Sequence, residues 1–77
     1  MSNIQTSPVM KPSSTVLELG YDALSETLVV KFKSGGKYSY HPVNKELYAG
    51  LKTADSIGSY LTKKIIKNTD IKMTKLL

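Results

Sequence analysis

The stretch TLVVKFKSGGKYSYH, residues 27–41, limits what this chain can fold into more than any other part of it. Two alternating runs flank Ser34-Gly35-Gly36. In the first, Leu28, Val30 and Phe32 share one face while Val29, Lys31 and Lys33 share the other, because successive side chains of a strand point to opposite sides. In the second, Tyr38 and Tyr40 lie on one face and Lys37, Ser39 and His41 on the other. Glycine reaches positive φ without steric cost, so β-branched and aromatic runs around a Gly-Gly step predict a β-hairpin. Two registers are open. A loop of Ser34-Gly35-Gly36 pairs Lys33 with Lys37 and Phe32 with Tyr38, whereas a Gly35-Gly36 loop puts Lys33 opposite Tyr38. The odd loop is preferred, since it leaves one apolar and one basic face. A hairpin cannot bury an apolar face alone, so other elements must cover it.

The flanking segments supply them. Residues 1–11 are polar, contain Pro8 and show no periodicity, which predicts a flexible arm. The run TVLELGY, residues 15–21, predicts a first strand with Leu17, Leu19 and Tyr21 on one face, and Gly20 inside it hints at a bulge. Residues 22–26, DALSE, form a reversing turn, so the first two strands are antiparallel. Pro42 ends the third strand because it has no N–H to donate. Asn44 then stands as an N-cap, with Glu46 in the first turn of a helix carrying Val43, Leu47, Tyr48 and Leu51 at helical spacing. Val43 against Leu47 or Tyr48 suits a hydrophobic staple, and Gly50 suits close packing. After a break near Ala54, a second helix opens at Asp55 or Ser56. It presents Ile57, Tyr60, Leu61 and Ile65 as a stripe and stops at Asn68. Residues 69–77 alternate again and read as an added strand, an oligomerisation arm or a frayed end.

The expected fold is α+β: a small antiparallel sheet, three-stranded or four-stranded if the tail joins, with two helices packed on one face. The domain covers residues 12–68. A 77-residue chain without cysteine has neither disulfides nor thiolate metal ligands. Chains of this size bury only about 60% of their unfolded surface, so self-association into a homo-oligomer is expected. No stretch resembles a signal peptide or a membrane span, and a cytoplasmic location is expected.

The net charge of +5, from eleven lysines and no arginine, points to an anionic partner. Lysine attracts phosphate as a point charge but cannot make the bidentate fork that reads guanine, which argues against sequence-specific duplex recognition. Lys31, Lys33 and Lys37 read either as a phosphate-binding face or as a solvated one. Tyr38 and Tyr40 read either as a stacking platform for bases or, beside Phe32 and Val30, as core residues; the core reading is preferred. Ser56 and Gly58 at a helix start could offer N–H groups to phosphate, but capping and close packing explain them better. Lys63 completes the candidate ligand-binding set. His41 is the single histidine and no nucleophile or carboxylate is tied to it by spacing, so no enzyme is expected, and neither a metal nor a cofactor.

In order, Ser13-Ser14, Gly20-Tyr21-Asp22, Leu28-x-Val30-x-Phe32, Ser34-Gly35-Gly36, Tyr38-Ser39-Tyr40, Val43, Leu51, Ala54 and Ser56-x-Gly58-x-Tyr60 resemble the KTSC domain, a family named for the carboxy-terminal extension of some lysyl-tRNA synthetases. The resemblance spans about residues 11–66, with the Tyr38–Tyr40 pair as its central mark. The chain departs from it at Thr62, where members often have asparagine, at Ile66, where a basic residue is usual, and in lacking a later aromatic residue. The synthetase context implies RNA binding. Free-standing members in bacteria and phages, together with the small size, suggest instead a homo-oligomer that sequesters a small anionic nucleotide, such as a cyclic oligonucleotide immune signal captured by a phage anti-defence sponge. A third expectation is a protein-interaction module that uses the tail as a donated strand.

Overall fold

The computed structural model describes residue 4, residues 6–8 and residues 15–76. These form β1 (Ser7–Pro8), β2 (Val16–Asp22), β3 (Thr27–Phe32), β4 (Lys37–His41), α1 (Lys45–Thr53), α2 (Ile57–Leu61), a π-helical turn continuing it (Thr62–Ile66), and β5 (Lys72–Lys75). The strands make one antiparallel sheet in the order β1-β2-β3-β4-β5. Both helices cover the same face. Leu51, Ile57, Leu61 and Ile65 pack with Val16, Leu19, Leu28, Val30, Tyr40 and Val43 in a single cluster. The α+β expectation therefore holds. The tail pairs with β4 of its own chain, Tyr38 opposite Lys75 and His41 opposite Lys72. The expected arm over residues 1–11 falls largely outside the described residues, but Ser7–Pro8 pairs with β2.

The hairpin keeps an odd loop but shifts its pairing. Val30, not Phe32, faces Tyr38, and Lys31, not Lys33, faces Lys37. The shift is made by Gly36, which joins the ladder by accepting the Phe32 N–H at 2.8 Å, leaving Lys33, Ser34 and Gly35 to turn the chain. Gly35 has φ 106°, a conformation that glycine adopts without penalty. A β-carbon on Gly36 would lie 2.8 Å from Cε1 of Tyr38, so only glycine lets that ring fold back across the ladder. Lys33 instead gives its N–H to the carbonyl of Thr15, just before β2, at 2.9 Å. A shift of two residues leaves side-chain parity unchanged, so the apolar and basic faces survive.

In β2 the expected stripe of Leu17, Leu19 and Tyr21 is corrected. The ladder slips between Val16 and Glu18, so Val16 rather than Leu17 turns inward with Leu19. Val16 is fully buried and Leu17 is 41% exposed. An inserted residue re-aims one side chain in this way; it lies before Gly20, which itself pairs regularly with Val29.

The β2–β3 turn is held by Asp22, whose carboxylate accepts the Leu24 N–H at 3.1 Å and the Ser25 hydroxyl at 2.9 Å. Glu26 closes it at φ 51°. The Glu26 carbonyl accepts the Val43 N–H at 2.7 Å, while the Tyr21 hydroxyl donates to the Val43 carbonyl at 2.6 Å. Both backbone groups of a buried residue thus find partners on one hairpin. This fixes where α1 starts. Asn44 caps it by accepting the Leu47 N–H at 2.8 Å, as expected, and Ala54 ends it. Val43 lies in the core, while Tyr48 stacks on Tyr21.

Ser56 caps α2. In the following turn the Lys67 N–H reaches back five residues to the Thr62 carbonyl at 3.0 Å, and the wider winding keeps Ile65 fully buried while Ile66 is 45% exposed. Gly50 sits where α1 meets α2: a β-carbon there would approach Cζ of Tyr60 to 2.8 Å. Two opposing effects meet at that position. Alanine gains about 1 kcal/mol of helix propensity over glycine, but it must displace the half-buried Tyr60 ring. In urea unfolding, Gly50→Ala is expected to destabilise the wild-type background by about 1 kcal/mol, a usual overpacking cost. The same change should stabilise the Tyr60→Ala background by about 1 kcal/mol. Equal effects in both backgrounds would show that the ring imposes nothing on Gly50.

Candidate functional site

With both helices on one side, no helix among the described residues covers the other side of the sheet. The observed registers arrange it as rows running across the strands. One row is Pro8, Glu18, Lys31, Lys37, completed by Leu76, whose N–H donates to the Lys37 carbonyl at 2.7 Å. The next is Gly20, Val29, Ser39 and Thr74. The third has Asp22 opposite Thr27 on one side and His41 opposite Lys72 on the other. The middle row is built of small residues and lies between rows of longer ones. Val29 is only 3% exposed yet is not part of the helix-side core, so it is screened by neighbours on its own face.

Charge is unevenly spread over these rows. Lys31, Lys37 and Lys72, with His41, occupy the β3–β5 half. The acids stand on β2. Asp22 is engaged by its turn, and Glu18 accepts a hydrogen bond from the Thr6 hydroxyl. Lys31 and Lys37 are direct cross-strand partners. Phe32 and Gly36 form a hydrogen-bonded pair, so the adjoining Lys31–Lys37 pair is of the closer, non-hydrogen-bonded type. Like charges placed so cost roughly 0.2–1 kcal/mol.

The residues expected from sequence to bind ligand are not brought together. Lys31 and Lys37 lie on the open face, and Lys33 sits in the turn beyond them. Tyr38 and Tyr40 lie on the opposite face, under the helices. Tyr40 is 2% exposed, and Tyr38 packs edge-on against Phe32 with ring centroids 5.6 Å apart. The core reading of the tyrosines is therefore the one the geometry follows. The Ser56 hydroxyl is occupied in accepting the Ser59 N–H at 3.3 Å. Gly58 lies against Thr15, whose Cβ would be 3.3 Å from an added β-carbon. Lys63 is exposed on the π-helical turn, away from the open face. What sequence reading left out is the contribution of β5. Lys72 and Thr74 join the face only because the tail pairs with β4, and alternation within the tail was the signal for it.

The model of the KTSC domain matches residues 12–68 of the chain. The chain belongs to the KTSC domain family. It is 42% identical over 48 residues to an uncharacterised protein of Stutzerimonas stutzeri strain A1501, covering 62% of this chain and 68% of that protein. It also superposes on the crystal structure of a KTSC domain protein from Yersinia pestis, with a TM-score of 0.82 and 24% identity over 97% of this chain and all of the other. That likeness speaks for the fold. No helix among the described residues of this KTSC domain is long and apolar enough to cross a membrane.

The tyrosines have a measurable signature even though they lie away from the open face. Tyr21 stacks on Tyr48 with centroids 4.4 Å apart and planes 14° from parallel, and the Lys52 ammonium stands 5.1 Å from the Tyr48 ring centre. Burial pushes the Tyr40 hydroxyl above the ordinary tyrosine pKa, with Tyr38 nearby adding to it. Tyr48 is raised by burial, and Tyr21 by burial and then by Glu26 and Asp22. A phenol whose folded pKa exceeds its unfolded value, about 10, holds its proton longer when folded. Its stabilising contribution is complete below that pH and is lost as pH rises through the folded value. Stability measured in urea from pH 8 to pH 11.5 should therefore fall at the alkaline end, and Tyr40→Phe should make the fall shallower. An unchanged slope in Tyr40→Phe would remove Tyr40 as a source of it.

Proposed function

We propose that this KTSC domain is a non-enzymatic nucleotide-binding protein that takes phosphate on the open face of its sheet. The observation that carries the reading is the opposed Lys31–Lys37 pair on a face that no helix among the described residues covers. In the empty protein that pair is a cost, and a bound phosphate placed between the two ammonium groups turns it into an attraction. Ser39 and Thr74 add hydroxyls beside it, which can donate to phosphate oxygens.

A small nucleotide fits this face better than an RNA strand does. A single-strand platform combines lysines with exposed aromatic rings on one surface, and here the family's tyrosine pair lies on the other side of the sheet. Capture without turnover suits a protein with a single histidine and no cysteine. In this reading the protein is a stoichiometric sponge in the bacterial cytoplasm, phage-encoded and directed at a cyclic oligonucleotide immune signal. Association between copies would use exposed apolar residues such as Met73, on the edge strand.

The test is a thermal-shift and calorimetric panel of cyclic dinucleotides, mononucleotides and a short mixed-sequence RNA at two salt concentrations. One small nucleotide is expected to raise the melting temperature by several degrees in both salts. Lys31→Ala and Lys37→Ala should each weaken its binding about tenfold, the scale of one charge-assisted hydrogen bond, while leaving the empty protein as stable or more so. A response to RNA alone that fades with salt would replace this reading with RNA binding. No response to any of them would leave a protein-interaction module.

A further inference from the structure

The rows of the open face say more about the ligand than that it is anionic. This step rests on the nucleotide reading above. Lysine charge appears on both sides of the middle row. Lys31 and Lys37 form one wall, and Lys72 with His41 forms the other. Along β4, Lys37 and His41 are four residues apart, which at strand rise separates the walls by about 13 Å. From β3 to β5 the floor spans two strand spacings, about 10 Å. That floor is low, because its accessible side chains are those of Ser39 and Thr74, while Val29 beside them is 3% exposed. At the β2 end, Glu18 and Asp22 replace lysine, so an anion is repelled from that end and held over β3–β5.

We propose that the ligand carries phosphates on two opposite edges, one for each lysine wall, with its nucleoside lying over Ser39 and Thr74. The chemical class is a nucleoside 3′,5′-bisphosphate or a ring-closed dinucleotide. A nucleoside di- or triphosphate places all its charge at one end, and it would satisfy one wall while leaving the other unmatched. The two walls act together only on a two-edged ligand, so selectivity arises from the placement of charge rather than from its amount.

Adenosine 3′,5′-bisphosphate and adenosine 5′-diphosphate make a direct comparison, since they differ in where the second phosphate sits. Cyclic diadenylate serves as the ring-closed probe. Titration calorimetry should show one of the two-edged ligands binding at least tenfold more tightly than the diphosphate. For that ligand, Lys31→Ala and Lys72→Ala should each cost about tenfold; for the diphosphate, only one of them should matter. Because Lys72 lies on an edge strand, Lys72→Gln and the melting curves of the unliganded variants guard against a loss of β5. If the diphosphate binds as tightly as both two-edged ligands, or Lys72→Ala and Lys72→Gln bind the two-edged ligand like wild type, the two-wall proposal is overturned while the nucleotide reading stands. If none of the three ligands binds, both fall.

Discussion

The backbone of Val43 holds the two halves of this protein together. Its N–H is given to Glu26 and its carbonyl accepts the Tyr21 hydroxyl, both on the β2–β3 hairpin. A fully buried residue cannot leave these groups unpaired without a cost of roughly 1–3 kcal/mol each, so the chain leaving β4 is directed back over the first hairpin. From there Asn44 starts α1 at once. Both helices then lie on the face that carries Leu28, Val30 and Tyr40. The same arrangement leaves the other face without a helix from the described residues. This pair of hydrogen bonds ties the segment that leads into the helices to the first hairpin.

That geometry separates two residue sets that sit side by side in sequence. Lys37, Tyr38, Ser39 and Tyr40 are consecutive, but strand alternation sends the tyrosines inward and the lysine and serine outward. An RNA platform needs rings and cations on one surface. Here the rings stabilise: Tyr40 fills the core, Tyr38 meets Phe32, and Tyr21 stacks on Tyr48 below the Lys52 ammonium. The Tyr38–Tyr40 pair is explained by packing. The outward residues between them are what remain for a ligand.

Parity and caps were legible in the sequence because both are local. A period of two identifies the faces of β3 and β4 whatever their register, and Asn44 and Ser56 cap through atoms three residues away. Pairing offset was less accessible. Moving the hairpin by two residues changes no face, so the alternation pattern could not detect it; in the observed register Gly36 pairs with Phe32 and the Tyr38 ring lies against Gly36. The bulge in β2 was hinted at through Gly20, yet its position between Val16 and Glu18 depends on which side chain the helices can accept. The fate of the tail was likewise a long-range matter. Its alternation allowed a strand, but only the free edge of β4 gave it a partner.

That last pairing changes the character of the open face. Without β5 the lysines form a single cross-strand pair beside a turn, which a solvated surface explains equally well. With β5, Lys72 arrives beside His41 and Thr74 beside Ser39, so charge stands on both sides of a row of small residues. The edge also becomes less prone to pair with other chains, because Lys72 and Lys75 flank it. Lysine suits both tasks. Its flexible four-carbon stem can lie along the sheet when the face is empty and rise to an anion when one is present, which the planar fork of arginine does less readily. The absence of arginine from the whole chain weighs against reading base edges.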